Sequence, residues 1–235
     1  LGVPHELSWL EFGHVPGSIT QLEGNTSRMP TVPSPGAAAC LPGLDPITLA
    51  GTICARLCHD LAGSVGALTG TLELAVEEND REALALAMVL SKELAARLRL
   101  LRAAWGVGSE TPSPETLFDG LPGAERLRLE AAALQATAPE TLRLSLSLLL
   151  AAAAGLPRGG TITLSGTDQL MHIELQGTRA AWPSALAECL DSEAALLAAC
   201  QTPRSAAIAL ACLQARAQHR ALKLDSPGRL SIAQL

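Results

Sequence analysis

Residues 45–105 constrain the fold most, because they encode two long helices of apolar period separated by a very short turn. Asp45-Pro46 is an N-cap followed by proline in the first turn, and the pattern predicts a helix from there to about Glu78. Asn79-Asp80 then supplies the turn and the next N-cap. The second helix is predicted over Arg81 to Trp105, with Leu84, Ala87, Ser91, Leu94, Leu98, Leu101 and Trp105 forming a heptad seam. So short a connection predicts an antiparallel hairpin. Leu86, Val89, Leu90 and Leu100 fall off the seam, leaving apolar surface that one partner helix does not cover. Burying it against a second copy predicts a homodimer built on a four-helix bundle.

Apolar residues make up 48% of the 235-residue chain, yet aromatics only 2% and Tyr is absent. The core must therefore be built from Leu, Ala, Val and Ile, which suits packed helices. A net charge of -6 with scattered Lys and Arg gives no basic face, so nucleic acid is not an expected partner. The longest apolar stretch, Leu146 to Leu156, is far shorter than the roughly 20 residues of a membrane span. No charged-then-apolar signal pattern opens the chain, and a cytoplasmic protein without membrane contact is expected. Cys40, Cys54, Cys58, Cys189, Cys200 and Cys212 have no framework spacing and read as small buried hydrophobes of a reducing compartment.

Residues 1–44 carry repeated prolines and glycines without a sustained period, and are expected to form a disordered or loosely attached leader, with Met29 a candidate for the natural start. Residues 45–105 are the hairpin, and 106–114 a linker of Gly, Ser, Thr and Pro. Residues 115–235 read as a second, α/β domain. Arg126 to Glu130, Thr161 to Ser165, Met171 to Gln176, Leu222 to Leu224 and Leu230 to Leu235 are its expected strands. Pro139 to Ala154, Pro183 to Cys200 and Arg204 to Arg220 are its helices. The fold class is α+β: a helical hairpin followed by a largely antiparallel sheet with helices on one face.

His59 is the chemical focus. Ile53, Leu57, Leu61, Val65, Leu68 and Leu72 collect on one side of the first helix, and His59 points roughly 165° from that stripe. Gly63, Gly66 and Gly70 fall on the His59 side, as does Thr52 one turn-pair earlier. Each mid-helix glycine costs about 1 kcal/mol against alanine, so three together need a reason. Close helix packing inside the bundle is one; a strip that lets another protein approach the ring is the other, favoured because the glycines lie opposite the leucines. Imidazole is largely neutral near pH 7, so a ring nitrogen can attack a phosphoryl group without a strong base. Asp60 could orient the ring, although adjacent helix residues do not face each other. Arg56, one turn earlier, could reach a transferred phosphate or a partner's acid; an ordinary solvated charge is the alternative for both. Cys54 and Cys58 are separated by three residues, not the two of a haem attachment site, and should lie on the leucine side, so neither a metal nor a cofactor is expected.

The run Arg56-Leu57-Cys58-His59-Asp60-Leu61, with Val65-Gly66-Ala67, Leu72-Glu73-Leu74 and the turn Leu156-Pro157-Arg158-Gly159-Gly160, resembles the ChpT-type histidine phosphotransferases of bacterial two-component phosphorelays. The resemblance runs from about Asp45 to the C-terminus. It implies a fold like a histidine kinase core, with a dimeric hairpin domain and a domain resembling the kinase ATP-binding domain. It further implies that His59 accepts phosphate from the receiver domain of a hybrid histidine kinase and passes it to response regulators, with Asp60 as the acid that follows the acceptor. Mg2+ would come with the receiver. The family often carries proline near the position of Ser64, so a less kinked helix is expected here, and Thr69 and Thr71 also depart from the usual types.

A competent kinase domain needs an asparagine for magnesium and an Asp-x-Gly segment for the nucleotide. No asparagine follows Asn79, and Asp168, Asp191 and Asp225 lack that context, so the chain is expected to be a carrier and not an ATP-dependent kinase. The rival reading is a non-catalytic, kinase-like scaffold that binds or sequesters response regulators; an active kinase or phosphatase of the same architecture is the other.

Overall fold

Asp45 opens the first helix as its position predicts, its carboxylate accepting from the Ile47 and Thr48 amides at 3.1 Å each. The structure is a computed structural model that describes residues 41–106, 117–131 and 137–235. Helix α1 spans Pro46–Glu77 without a break. Asn79 then takes a left-handed backbone, and Asp80 caps α2 (Arg81–Trp105) by accepting from the Glu82 amide at 2.8 Å. The two helices pack as an antiparallel hairpin. Most of the expected leader, Met29, Cys40 and most of the 106–114 linker lie outside the described residues. Leu41, expected in the loose leader, is instead buried at 4% exposure, and Leu44 packs on the same core, so tertiary contacts begin before α1.

Two expectations about the hairpin change. On α2, Ala83, Ala87, Leu94, Arg97 and Leu101 are covered, and so are Leu90 and Leu100, which the chain's own core reaches without a second copy, whereas Leu84, Ser91 and Leu98 of the expected seam are exposed. The leucine stripe of α1 divides as well: Ile53, Leu57, Leu61 and Leu68 are partly covered while Val65 and Leu72 are exposed. A two-helix hairpin covers one face of each helix, and these sequences carry apolar residues over a wider arc than that. Cys54 and Cys58, expected among buried side chains, are exposed beside that uncovered arc, whereas Cys189, Cys200 and Cys212 are buried.

Beyond the hairpin, a short 3-10 turn (Ala124–Arg126) leads into β1 (Leu127–Glu130), followed by α3 (Pro139–Ala154), β2 (Gly160–Gly166) and β3 (Leu170–Gln176). Helices α4 (Ser184–Asp191), α5 (Glu193–Cys200) and α6 (Ala206–Ala217) precede β4 (Arg220–Ser226) and β5 (Arg229–Gln234). The single helix expected over Pro183 to Cys200 is thus two. Ser192 adopts an extended backbone and its hydroxyl caps α5 by accepting from the Ala195 amide, competing locally with helix continuation.

The five strands lie in the order β1-β2-β3-β5-β4, antiparallel except for the β1-β2 pair. That parallel pair requires a crossover, which α3 supplies. Ile162, Leu164, Met171, Ile173, Leu175, Leu230 and Ile232 alternate onto one face and meet α3 and α6. Gly159 and Gly160 both take positive φ at the α3-β2 turn, and a side chain on either would strike the backbone oxygen of Arg126 or Gln176. This gives the Pro157-Arg158-Gly159-Gly160 turn a structural role. Leu100, Leu101 and Ala104 at the base of α2 share one core with Leu144, Leu148 and Leu149 of α3, so the hairpin base is anchored in the α/β layer. Among the described residues, no helix is long and apolar enough to cross a membrane.

Candidate functional site

His59 projects from the middle of α1 with its side chain 86% exposed. Its Nδ1 faces Asp60 Oδ1 at 3.5 Å, the outer limit of a hydrogen bond, so adjacent helix residues do meet here through a bent-back carboxylate. The other oxygen of Asp60 accepts from Arg56 Nε at 2.8 Å, an i,i+4 ion pair along one face of the helix. Nε2 of His59 is left toward solvent. Arg56 is therefore bound to Asp60 and not extended toward a phosphate position.

Gly63 and Gly66 are exposed, and a Cβ built on Gly63, Gly66 or Gly70 would meet nothing within 4 Å. None of the three is needed for contact within the described chain, which removes close packing inside the hairpin as their reason. Thr52 differs. It lies on the same side of α1 but is buried at 9% exposure, where α1 meets α5 and α6, and its hydroxyl donates to the Thr48 carbonyl at 2.8 Å. Burial by the α/β layer removes Thr52 from the accessible strip to which the helical period assigns it.

A cleft of about 670 Å³ opens beside Asp60, walled by Gly63 and Ala67 of α1, Glu93 and Arg97 of α2, and the 119–125 segment that leads to β1. No motif in the sequence singles out Arg97. It places Nη2 3.9 Å from Asp60 Oδ2 and donates from Nη1 to the Gly120 carbonyl at 3.3 Å. Burial pushes its guanidinium below the ordinary arginine value, opposed by the charge of Asp60 and reinforced by that of Arg56. A signal for it did exist: Asp60 and Arg97 lie about equally far from the Asn79-Asp80 turn, so the register of an antiparallel hairpin brings them together. Among the described residues, no group of three or more His, Cys, Asp or Glu side chains is arranged to hold a metal ion.

Comparison with known proteins bears on this arrangement. A family model described as histidine phosphotransferase C-terminal domain matches residues 111–229, slightly more than half of the chain. The chain belongs to the histidine phosphotransferases. Protein phosphotransferase ChpT of Brucella abortus (strain 2308) is 28% identical over 146 residues, which cover 57% of this chain and 70% of that protein. A solved structure described as a bacterial phosphotransferase superposes with a TM-score of 0.61 at 20% identity, covering 80% of this chain and 96% of that one, and shows that the fold is shared. The family match covers the α/β layer; the phosphotransferase's hairpin, with His59, precedes it.

Proposed function

We propose that this phosphotransferase carries its phosphoryl group on His59, receiving it from an aspartyl phosphate on the receiver domain of a hybrid histidine kinase and passing it to response-regulator aspartates in the bacterial cytoplasm. The exposed ring carries this reading: Nδ1 is turned to Asp60, Nε2 is free, and a strip without side chains extends along the helix beside it. Transfer needs chiefly in-line approach and charge neutralisation, so few groups are required of the carrier. The Nε2 lone pair forms the phosphorus-nitrogen bond, the acyl phosphorus-oxygen bond breaks, and the receiver carboxylate leaves with the electron pair. Nδ1 keeps its proton, and the positive charge that develops on the ring faces the Asp60 carboxylate. The receiver supplies Mg2+ from its own acidic pocket, and phosphate comes from a protein and not from ATP, since residues 115–235 lack the asparagine and Asp-x-Gly of a kinase.

The working unit in this reading is a homodimer. Val65 and Leu72 on α1, with Leu84, Met88 and Leu98 on α2, form an exposed apolar band on the hairpin, at 41–58% exposure, away from His59. So continuous a band is unusual on a monomer, and pairing two hairpins would bury it in a four-helix bundle. Both His59 rings would then stay outside. Incubation with a phosphorylated receiver domain should label the wild-type chain and leave His59→Gln unlabelled; label on His59→Gln would overturn the assignment. Regulator binding with no transfer to the wild type would favour the scaffold reading instead.

A further inference from the structure

Arg97 has no part in the transfer as described, yet its surroundings are unusual. Its guanidinium is mostly withdrawn from solvent, its Nε is buried without a partner among the described residues, and its charge persists at every working pH. A charge held out of water needs a compensating group, and Asp60 is the acid it meets. Gly120 fixes the other end. A Cβ there would collide with the Ala96 carbonyl and Leu100 Cβ, so glycine lets this segment lie directly on α2 with its carbonyl turned to Arg97.

We propose that Arg97 is a positioning residue for phosphotransfer: reaching across from α2, it helps hold Asp60 so that His59 keeps its proton on Nδ1 and presents Nε2. This rests on His59 as the phosphate acceptor. Neighbouring side chains on a helix diverge by about 100°, so the Asp60 carboxylate must be held back to reach the ring. Arg56 takes Oδ2 from within α1 and Arg97 approaches the same oxygen from α2, which leaves Oδ1 for the imidazole. Arg56 alone, at 34% exposure and on the same helix as Asp60, does not tie the carboxylate to the rest of the fold; Arg97 does, through Gly120.

The test uses the full chain with phosphoramidate as the donor, so that no partner must dock. His59 Nε2 attacks its phosphorus, the bond to nitrogen breaks and ammonia leaves. Phosphate on His59 is read by site-resolved mass spectrometry, and the ring tautomer by nitrogen-15 chemical shifts. In the wild type the Nδ1-H form should dominate. Arg97→Met should give a mixture of tautomers and slow phosphorylation about tenfold, the size expected for coupled neighbours. Arg97→Lys should restore part of both, and it carries the comparison if Arg97→Met does not fold. In an Asp60→Asn background, the same Arg97 substitutions should have little further effect.

An unchanged tautomer and rate in Arg97→Met, or in Arg97→Lys where Arg97→Met does not fold, or effects that simply add to those of Asp60→Asn, would overturn the role of Arg97. A purely structural arginine would lower the melting temperature and leave the ring spectrum of the folded protein alone. Loss of labelling in His59→Gln together with unaffected Arg97 variants refutes only this inference; labelling of His59→Gln refutes the acceptor assignment beneath it.

Discussion

Helices α1 and α3 are about equally apolar, and the fold treats them in opposite ways. Twelve of the 16 residues of α3 are buried, whereas Thr52 alone is buried in the 32 residues of α1. The contrast shows that apolar content does not measure how much of a helix the chain's own core uses. α3 lies between the sheet and the surrounding helices, so every direction finds a partner. α1 has α2 along one side and the α/β layer only near its start, at Thr52, which leaves one arc apolar and uncovered and another arc carrying His59 and the glycines.

The largest test of this contrast is a matched pair of truncations. Leu146→Ala in α3 removes a side chain with no exposure and should cost about 2–5 kcal/mol of stability. Leu72→Ala in α1 should cost much less, and its effect should shrink as the protein is diluted if that residue is buried only between copies. Chemical denaturation at two protein concentrations separates them; equal, concentration-independent losses would erase the distinction. Next, Leu72→Glu with Met88→Glu should halve the mass measured by light scattering at micromolar concentration, and should turn slow thiol labelling of Cys54 and Cys58 into fast labelling. A wild-type chain that is already monomeric removes the bundle.

On the other arc, Gly66→Ala should stabilise the fold by up to about 1 kcal/mol, because its Cβ enters open space. The same change should slow transfer from a phosphorylated receiver, since the strip is narrowed where the partner approaches; faster or unchanged transfer would deny the strip that purpose. The smallest effect concerns the exposed edge of the sheet. The Ser231 hydroxyl bonds to Asp225 and holds that carboxyl below its ordinary value of 3.8. A depressed carboxyl contributes stability above its unfolded value and loses it as pH falls through the folded one. Ser231→Ala should therefore lower the melting temperature slightly at pH 7 and progressively less below about pH 4.

Much of this was legible along the chain. Asp45, Asp80 and Asn79 announce the hairpin ends because capping and left-handed turns are local chemistry, and the structure places α1 and α2 within a residue or so of the expected limits. The alternation in 161–165 and 171–176 gave the central strands for the same reason. His59 and the glycines could be put on one face by period alone. The α2 seam, the fate of Thr52 and the break at Ser192 could not be obtained that way. Which arc of α2 meets α1, and which side of α1 the α/β layer covers, depend on side chains far away in sequence.

By itself, the sequence determined the elements, the α+β class and an outward histidine followed by an acid, since these follow from periodicity and capping within a few residues. Only the tertiary structure decided that Asp60 turns back to His59, that Arg97 reaches it from the opposite helix, and that Gly120 holds Arg97 from the segment beyond the hairpin. The turn puts Asp60 and Arg97 at the same level of the hairpin, but which arc each helix presents and how closely separate backbones approach depend on residues far apart in sequence, and no local pattern records either.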